Sequence, residues 1–306
     1  MGAVRETVDL RALHELCTAA PADIDGGTLL LRCDLPGTMQ LFRVPLQSGG
    51  ELEQLTEFRD PVEGRFVPGS GRILLEHDDA GNELTQLSLL DARPGAQPQP
   101  LVHDPRFAHR DPKLSHDGAL LAYATNRDNG VEWAIYVRAL RDDSERCVIA
   151  PAGSNAPAGF SPDGKLLAVG DTSGNVVLWD VAKRRPVGSP LAGQNVSVDT
   201  VDFDPSGQML ATMSSDGNLR LWDVATQKLI GAPIPVSTGD GTAEFFPDGT
   251  HVLGDFGSTS VVWNVDPVAW KAQACRVAHR NLTHEEWNDF LGQRTYRSVC
   301  AAAQPH

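Results

Sequence analysis

No stretch of this chain is apolar for long enough to cross a bilayer, and Met1 to Leu10 lacks the apolar centre of a signal peptide. These absences exclude a helical membrane span and lead to the expectation of a cytoplasmic protein. Basic charge is scarce: 26 Lys and Arg stand against 40 Asp and Glu, a formal net charge of −14. Neither a nucleic-acid backbone nor an anionic membrane is therefore expected as a partner. Cys17, Cys33, Cys147, Cys275 and Cys300 are odd in number and scattered. That pattern predicts mostly buried free thiols, with a Cys275–Cys300 disulfide as the alternative. Cys275, His279, His284 and Cys300 are spaced like no common zinc module, so no metal is expected. No Gly-x-Ser-x-Gly turn occurs. Gly37, Gly49, Gly50 and Gly69 fall in hairpin turns rather than before a helix, so no phosphate-cradling loop and no cofactor is expected.

What is present is a repeat. A Gly-containing turn followed by an apolar strand recurs as DGGTLLLRC from Asp25, SGRILLE from Ser70, HDGALLAYA from His116, PDGKLLAVG from Pro162, PSGQMLATM from Pro205 and PDGTHVLGD from Pro247. The turn glycines, Gly27, Gly71, Gly118, Gly164, Gly207 and Gly249, are separated by 44, 47, 46, 43 and 42 residues. A second β-rich run follows each: QLFRVPL from Gln40, LTQLSLL from Leu84, WAIYVRAL from Trp133, NVVLWDV from Asn175, NLRLWDV from Asn218 and SVVWNV from Ser260. Turn and strand recurring together at this period read as four-stranded blades, each covered only by stacking on its neighbours. The expected fold is an all-β propeller of about six blades, seven being the alternative. Ala3 to Leu10 alternates as a half-buried strand should and is a candidate to complete the last blade. Thr283 followed by Glu286 forms a capping box, and Trp287, Phe290 and Leu291 give an apolar face, so the C-terminus is expected to be a short helical cap.

From Gly159 the text GFSPDGKLLAVGDTSGNVVLWDV, VDFDPSGQMLATMSSDGNLRLWDV and AEFFPDGTHVLGDFGSTSVVWNV resembles bacterial WD40 repeats, with Trp179, Trp222 and Trp263 at steps of 43 and 41. That resemblance implies a structural role for Trp179, Trp222, Trp263 and Ser214. Trp222, Ser214 and Asp216 match three parts of the family's buried network, whereas its usual Gly-His pair reads Gly193-Gln194. The segment from Trp270 to Cys300 is similar to the tail of many such proteins. By contrast, LPGTMQLFRVPL, DDAGNELTQLSLLD and HRDPKLSHDGALLAYATNRDNGVEWAIYVRAL resemble the TolB-type propeller of prolyl-oligopeptidase-family peptidases. The organisation expected is one propeller over 1–300, with TolB-like blades at 26–150, WD40-like blades at 159–265, a helical cap at 266–300 and a tail at 301–306. Such a change of motif marks a hybrid, natural or constructed, joined near Ala150 to Ala158.

The functional expectation is a non-catalytic interaction or scaffolding platform, monomeric, with a protein or peptide partner. The alternatives are a substrate-gating propeller of a serine-hydrolase assembly whose catalytic domain lies elsewhere, and an engineered ring without an evolved ligand. The loops between second and third strands carry Asp78, Asp79, Asp128, Asp171, Asp216 and Asp255. They form a candidate acidic rim for a basic peptide or a calcium ion, set against the ordinary role of Asp in tight turns.

Overall fold

The computed structural model describes residues 19–46, 51–78, 80–150, 155–171, 173–193, 196–236, 241–255, 260–291 and 295–300. The chain divides into two compact units, Met1–Val198 and Asp199–His306. In the first, four antiparallel sheets follow one another. They are β1 to β4 (Ala19–Asp25, Thr28–Cys33, Gln40–Pro45, Glu53–Gln54), β5 to β8 (Val62–Val67, Arg72–His77, Gln86–Asp91, Gln99–Val102), β9 to β12 (His109–Leu114, Leu120–Thr125, Ala134–Ala139, Glu145–Ile149) and β13 to β16 (Asn155–Phe160, Leu166–Asp171, Val176–Asp180, Arg185–Pro186). The second unit holds β17 to β21 (Val198–Phe203, Met209–Ser214, Asn218–Asp223, Lys228–Leu229, Ile234–Pro235) and a three-stranded sheet of β22 to β24 (Thr242–Phe245, His251–Asp255, Ser260–Asn264). Two helices follow, α1 (Pro267–Ala278) and α2 (His284–Leu291). The architecture is thus all-β, six propeller blades with two short C-terminal helices. The candidate strand Ala3 to Leu10 lies outside the described residues.

The second strand of each sheet explains the packing. In β6, Ile73 and Leu75 pack toward the first sheet with Leu30, Leu41, Val62 and Phe66. Leu74, between them, packs the other way with Leu121 and Tyr123 of β10. Ala122 and Ala124 of β10 in turn face Leu167 and Val169 of β14. A strand buried on both faces reads as a continuous apolar run rather than an alternating one, as ILLE and LLAYA do. In the second unit Ala211 and Met213 of β18 pack with Ala243 and Val252 of the next sheet.

The turns into these strands share one hydrogen-bond scheme with interchangeable parts. Ser115 Oγ donates to Asp117 Oδ1 at 2.6 Å and accepts from Leu120 N at 2.9 Å. Ser161 does the same with Asp163 and Leu166, at 2.7 and 2.9 Å. At Asp204-Pro205-Ser206 the two residues trade places: Ser206 Oγ donates to Asp204 Oδ2 at 2.5 Å, and Asp204 Oδ1 accepts from Met209 N at 2.6 Å.

At the C-terminus the capping box forms: Thr283 N donates to Glu286 Oε2 at 2.8 Å, and Glu286 N to Thr283 Oγ1 at 3.2 Å. Trp287 is buried. α1 buries none of its residues. Cys275 and Cys300 form a disulfide, which corrects the expectation of free thiols there; Cys33 is a buried thiol and Cys147 an exposed one. Spacing alone does not favour the bond, because the clasp that brings the two cysteines together is not local. Asn281 Oδ1 accepts from the backbone N–H of Val299 and of Cys300, each at 2.7 Å.

Two turn glycines separate conformational strain from crowding. Gly164 sits at φ +69° with open space where a Cβ would point, whereas a Cβ on Gly118, at φ +67°, would lie 2.5 Å from Pro68 O. Gly164→Ala is expected to cost about 1 kcal/mol, the left-handed penalty alone, and Gly118→Ala about 3 kcal/mol, because the neighbouring backbone must move as well. Urea denaturation of both variants checks the difference.

Candidate functional site

The loops between second and third strands begin where the paired backbone ends, and each described acid of the candidate rim has a partner in its own loop or an adjoining strand. Asp171 Oδ1 accepts from Ser173 N at 2.8 Å and Asn175 N at 2.9 Å, and its Oδ2 from Asn175 Nδ2 at 2.9 Å. Asp78 Oδ2 accepts from Glu83 N at 3.3 Å, and Asp255 Oδ1 from Ser260 Oγ at 3.3 Å. Asp216 takes Ser214 Oγ at 2.8 Å and Arg220 Nη2 at 2.5 Å. The Arg220 guanidinium, first among its partners, holds the Asp216 carboxyl well below the usual range. Asp79 lies outside the described residues. Among the described residues no group of three His, Cys, Asp or Glu is placed to hold a metal ion.

Ser214 and Asp216 are therefore joined through buried Arg220, whose Nη1 donates to Ser214 Oγ at 2.9 Å. The indole of Trp222 donates instead to Thr212 Oγ1 at 3.0 Å. Trp179 packs half-buried against the core between the third and fourth sheets, and Trp263 against the core of the second unit. Gln194 lies outside the described residues.

Asp128 belongs to a denser arrangement that the sequence signalled only in part. The loop from Asn126 to Trp133 joins β10 to β11 and is fixed from within. Gly130 N donates to Asn126 O at 2.7 Å. Asn129 Oδ1 accepts from Val131 N at 3.0 Å and Glu132 N at 2.8 Å. Asn126 Oδ1 accepts from Ala108 N at 3.0 Å, tying the loop to the chain entering β9. The loop presents Val131 to solvent, 77% exposed. Two rings flank it, each covered by a guanidinium: Arg110 lies 3.6 Å from the Trp133 centroid and Arg127 3.8 Å from that of Tyr136. Such stacking holds long side chains in place and leaves flat, amphipathic surface. Tyr136 OH donates to Asp128 at 2.9 Å, and burial, then Asp128, raises the phenol pKa. Beneath, Glu145 collects the Tyr123 hydroxyl and the Arg127 and Arg138 guanidiniums. Burial alone would raise the Glu145 carboxyl; these donors outweigh it and hold the carboxyl low. Acidic Asp128 was legible as a loop residue. The Arg–aromatic pairs were not, because each joins residues from different strands or loops.

His109 closes the arrangement from below. It is 1% exposed, its ring stands edge-on to Tyr123 at 6.0 Å, and neither ring nitrogen has a partner among the described residues. Burial first, then Arg127, pushes its pKa down to about 4 from 6.5. The unfolded chain binds this proton more readily than the folded one, so His109 costs stability as pH falls from about 6.5 to about 4. His109→Leu is expected to be neutral or stabilising at pH 7 and to lose less stability across that window. Melting temperatures of both proteins at pH 7 and pH 5 check this.

Comparison with known proteins finds the WD40 likeness over two of the three repeats expected between 159 and 265. The family model described as "WD domain, G-beta repeat" matches residues 154–180 and 185–223. None of the curated proteins matches the chain. Among solved structures, a chain of "Crystal Structure of Mitotic Checkpoint Complex" is similar, with 20% sequence identity and a TM-score of 0.43, over 50% of this chain and 45% of that one. The chain thus spans less than half of the length of that protein. Over residues 154–223 the similarity is to WD40 repeats, carried on sheets of the blade type described above.

Proposed function

We propose that the protein is a non-catalytic interaction platform and that its first unit contacts a basic protein or peptide partner through the loop from Asn126 to Trp133. The observation that carries this reading is the exposure of Val131 on a loop fixed by its own hydrogen bonds, beside Trp133 and Tyr136. Interface energy concentrates on Trp, Tyr and Arg around a small apolar centre, and a rigid loop loses little entropy when it binds. Asp128, Glu132 and the other loop acids Asp78, Asp79 and Asp171 supply the charge that favours a basic partner, as does the net charge of −14. The WD40 likeness supports the same class of role, and the protein is taken to act as a monomer.

Two finer points belong to this reading. The first is a hybrid origin. Gln40 and Gln86 open the third strands of the first two sheets. Their side chains each clasp the incoming chain, Gln40 Oε1 taking Phe58 N and Gln86 Oε1 taking Asp104 N, both at 2.8 Å. The later sheets carry Trp179, Trp222 and Trp263 in their third strands instead. This change of device favours a junction of TolB-like with WD40-like blades, natural or constructed, and keeps a gating role in a hydrolase assembly as the second reading. The second point is location. The Cys275–Cys300 bond favours an oxidising compartment over a cytoplasmic one. Peptide mapping of the denatured, unreduced protein is expected to recover Cys275 and Cys300 in one disulfide-linked pair; recovery of both as labelled thiols would return the chain to a reducing compartment.

The platform reading is tested by titrating the whole chain with a Lys/Arg-rich peptide that contains leucine, following the melting temperature. A rise is expected in wild type, with affinity weakened about tenfold by Val131→Ser, the loss of one buried aliphatic contact, and reduced further by Asp128→Asn at low salt. No shift at millimolar peptide, or equal binding by Val131→Ser, removes the proposal. Co-purification with a separate chain that a serine-directed hydrolase probe labels would favour the second reading.

A further inference from the structure

A cavity of about 350 Å³ opens in the first unit where the first and second sheets meet, at the small end of the range that ligand sites occupy. It is lined by Asp23, Arg32, Glu63, Gly64, Arg65 and Glu76 together with Pro21 and Ala22. The register of β1 against β2 shifts between Pro21 and Asp23, placing an extra residue, Ala22, in the wall.

The charges that line it are not equally engaged. Asp23 is committed to backbone: Oδ1 accepts from Ile24 N and Oδ2 from Phe66 N, each at 2.8 Å. Arg32 and Glu63 form a direct hydrogen-bonded ion pair. Arg65 and Glu76 differ. Their nearest atoms stand 3.8 Å apart, close enough to attract and too far to hydrogen-bond. The Glu76 side chain is only 18% exposed, so water replaces that missing bond poorly, while Arg65 is 40% exposed and open to a ligand. A loose pair of opposite charges at one cavity wall matches a molecule that carries both charges at short separation. A carboxylate suits the planar fork of a guanidinium, and an ammonium suits a desolvated carboxylate.

We propose that this cavity binds a small zwitterionic amino acid, its carboxylate on Arg65 and its ammonium group on Glu76. The groups that set the state of Glu76 come from two sheets: Arg65 and Glu63 on β5, and Asp111 and Lys113 on β9. Burial, the largest influence, pushes the Glu76 carboxyl up to about 7, with Arg65 opposing. An ammonium placed on it draws the proton off. Binding near neutral pH therefore releases protons from the Glu76 carboxyls that burial keeps protonated. None of this depends on the loop from Asn126 to Trp133, so this site and the platform reading stand or fall separately.

The test is calorimetry of the whole chain with glycine and L-alanine at pH 7, in buffers of different ionisation heat. The expected result is saturable binding with proton release, while propionate and ethylamine, each carrying half of the charge pair, bind at least about tenfold more weakly. Glu76→Gln is expected to weaken glycine binding at least about tenfold and to abolish the buffer dependence. Should that variant fail to fold, Arg65→Gln, at the more exposed partner, is expected to weaken glycine binding by the same factor. No heat from either amino acid at about 10 mM, or undiminished binding by Glu76→Gln or Arg65→Gln, overturns the proposal.

Discussion

A strand that is apolar on both faces must be covered twice, and no single sheet can do that. Ile73 and Leu75 look toward one neighbour and Leu74 toward the other, so the second sheet of the first unit is stable only between the first and third. The same holds for β10, whose Leu121 and Tyr123 serve one interface and whose Ala122 and Ala124 serve the next. Stability in such an array is a sum of neighbour interfaces, and each blade contributes mainly through the contacts it makes with the blades beside it. Everything else in the structure is arranged around that requirement. Turns are tight so that second strands fall at the same depth, and loops at the other end are left free to differ.

This division explains what the sequence made legible. The turn glycines and the apolar runs after them are demanded by every interface, so they recur at a readable period, and the third strands begin within two residues of their expected positions at Gln40, Leu84, Trp133, Asn175, Asn218 and Ser260. The trade of Ser for Asp at Asp204 and Ser206 shows how loosely residue identity is bound to that role: one scheme of hydrogen bonds is met by either order. Long-range pairings were not readable. Arg110 covers Trp133 from another strand, and Asn281 gathers the chain near Cys300. Each depends on which strands become neighbours, and local periodicity carries no information about that.

The loop acids show the same split between local and non-local causes. Asp171 organises its own turn with three bonds inside five residues, as Asp does wherever chains reverse. Asp128 instead orients Tyr136, whose ring carries Arg127, so one carboxylate fixes a surface made by three side chains. A loop built this way holds its acids in place and presents outward a fixed shape with an exposed apolar point at Val131.

Carboxylates are also used where sheets meet, and there the physics runs the other way. Asp23 accepts the Phe66 N–H of the next sheet at 2.8 Å, and in the second unit Asp202 accepts the Phe245 N–H at 2.7 Å. Burial pushes the Asp202 carboxyl up to about 6, although the Phe245 N–H opposes the rise, so the charged group is costly in that position. Apolar packing between two sheets is nearly indifferent to a slide of one residue along the strand, because Leu against Leu and Leu against Val bury similar area. A carboxylate that finds its N–H in only one register is not indifferent, since any slip leaves both groups buried and unpaired. At these two interfaces the apolar interior thus supplies the free energy of stacking, and the acid at the edge selects the alignment in which that free energy is realised.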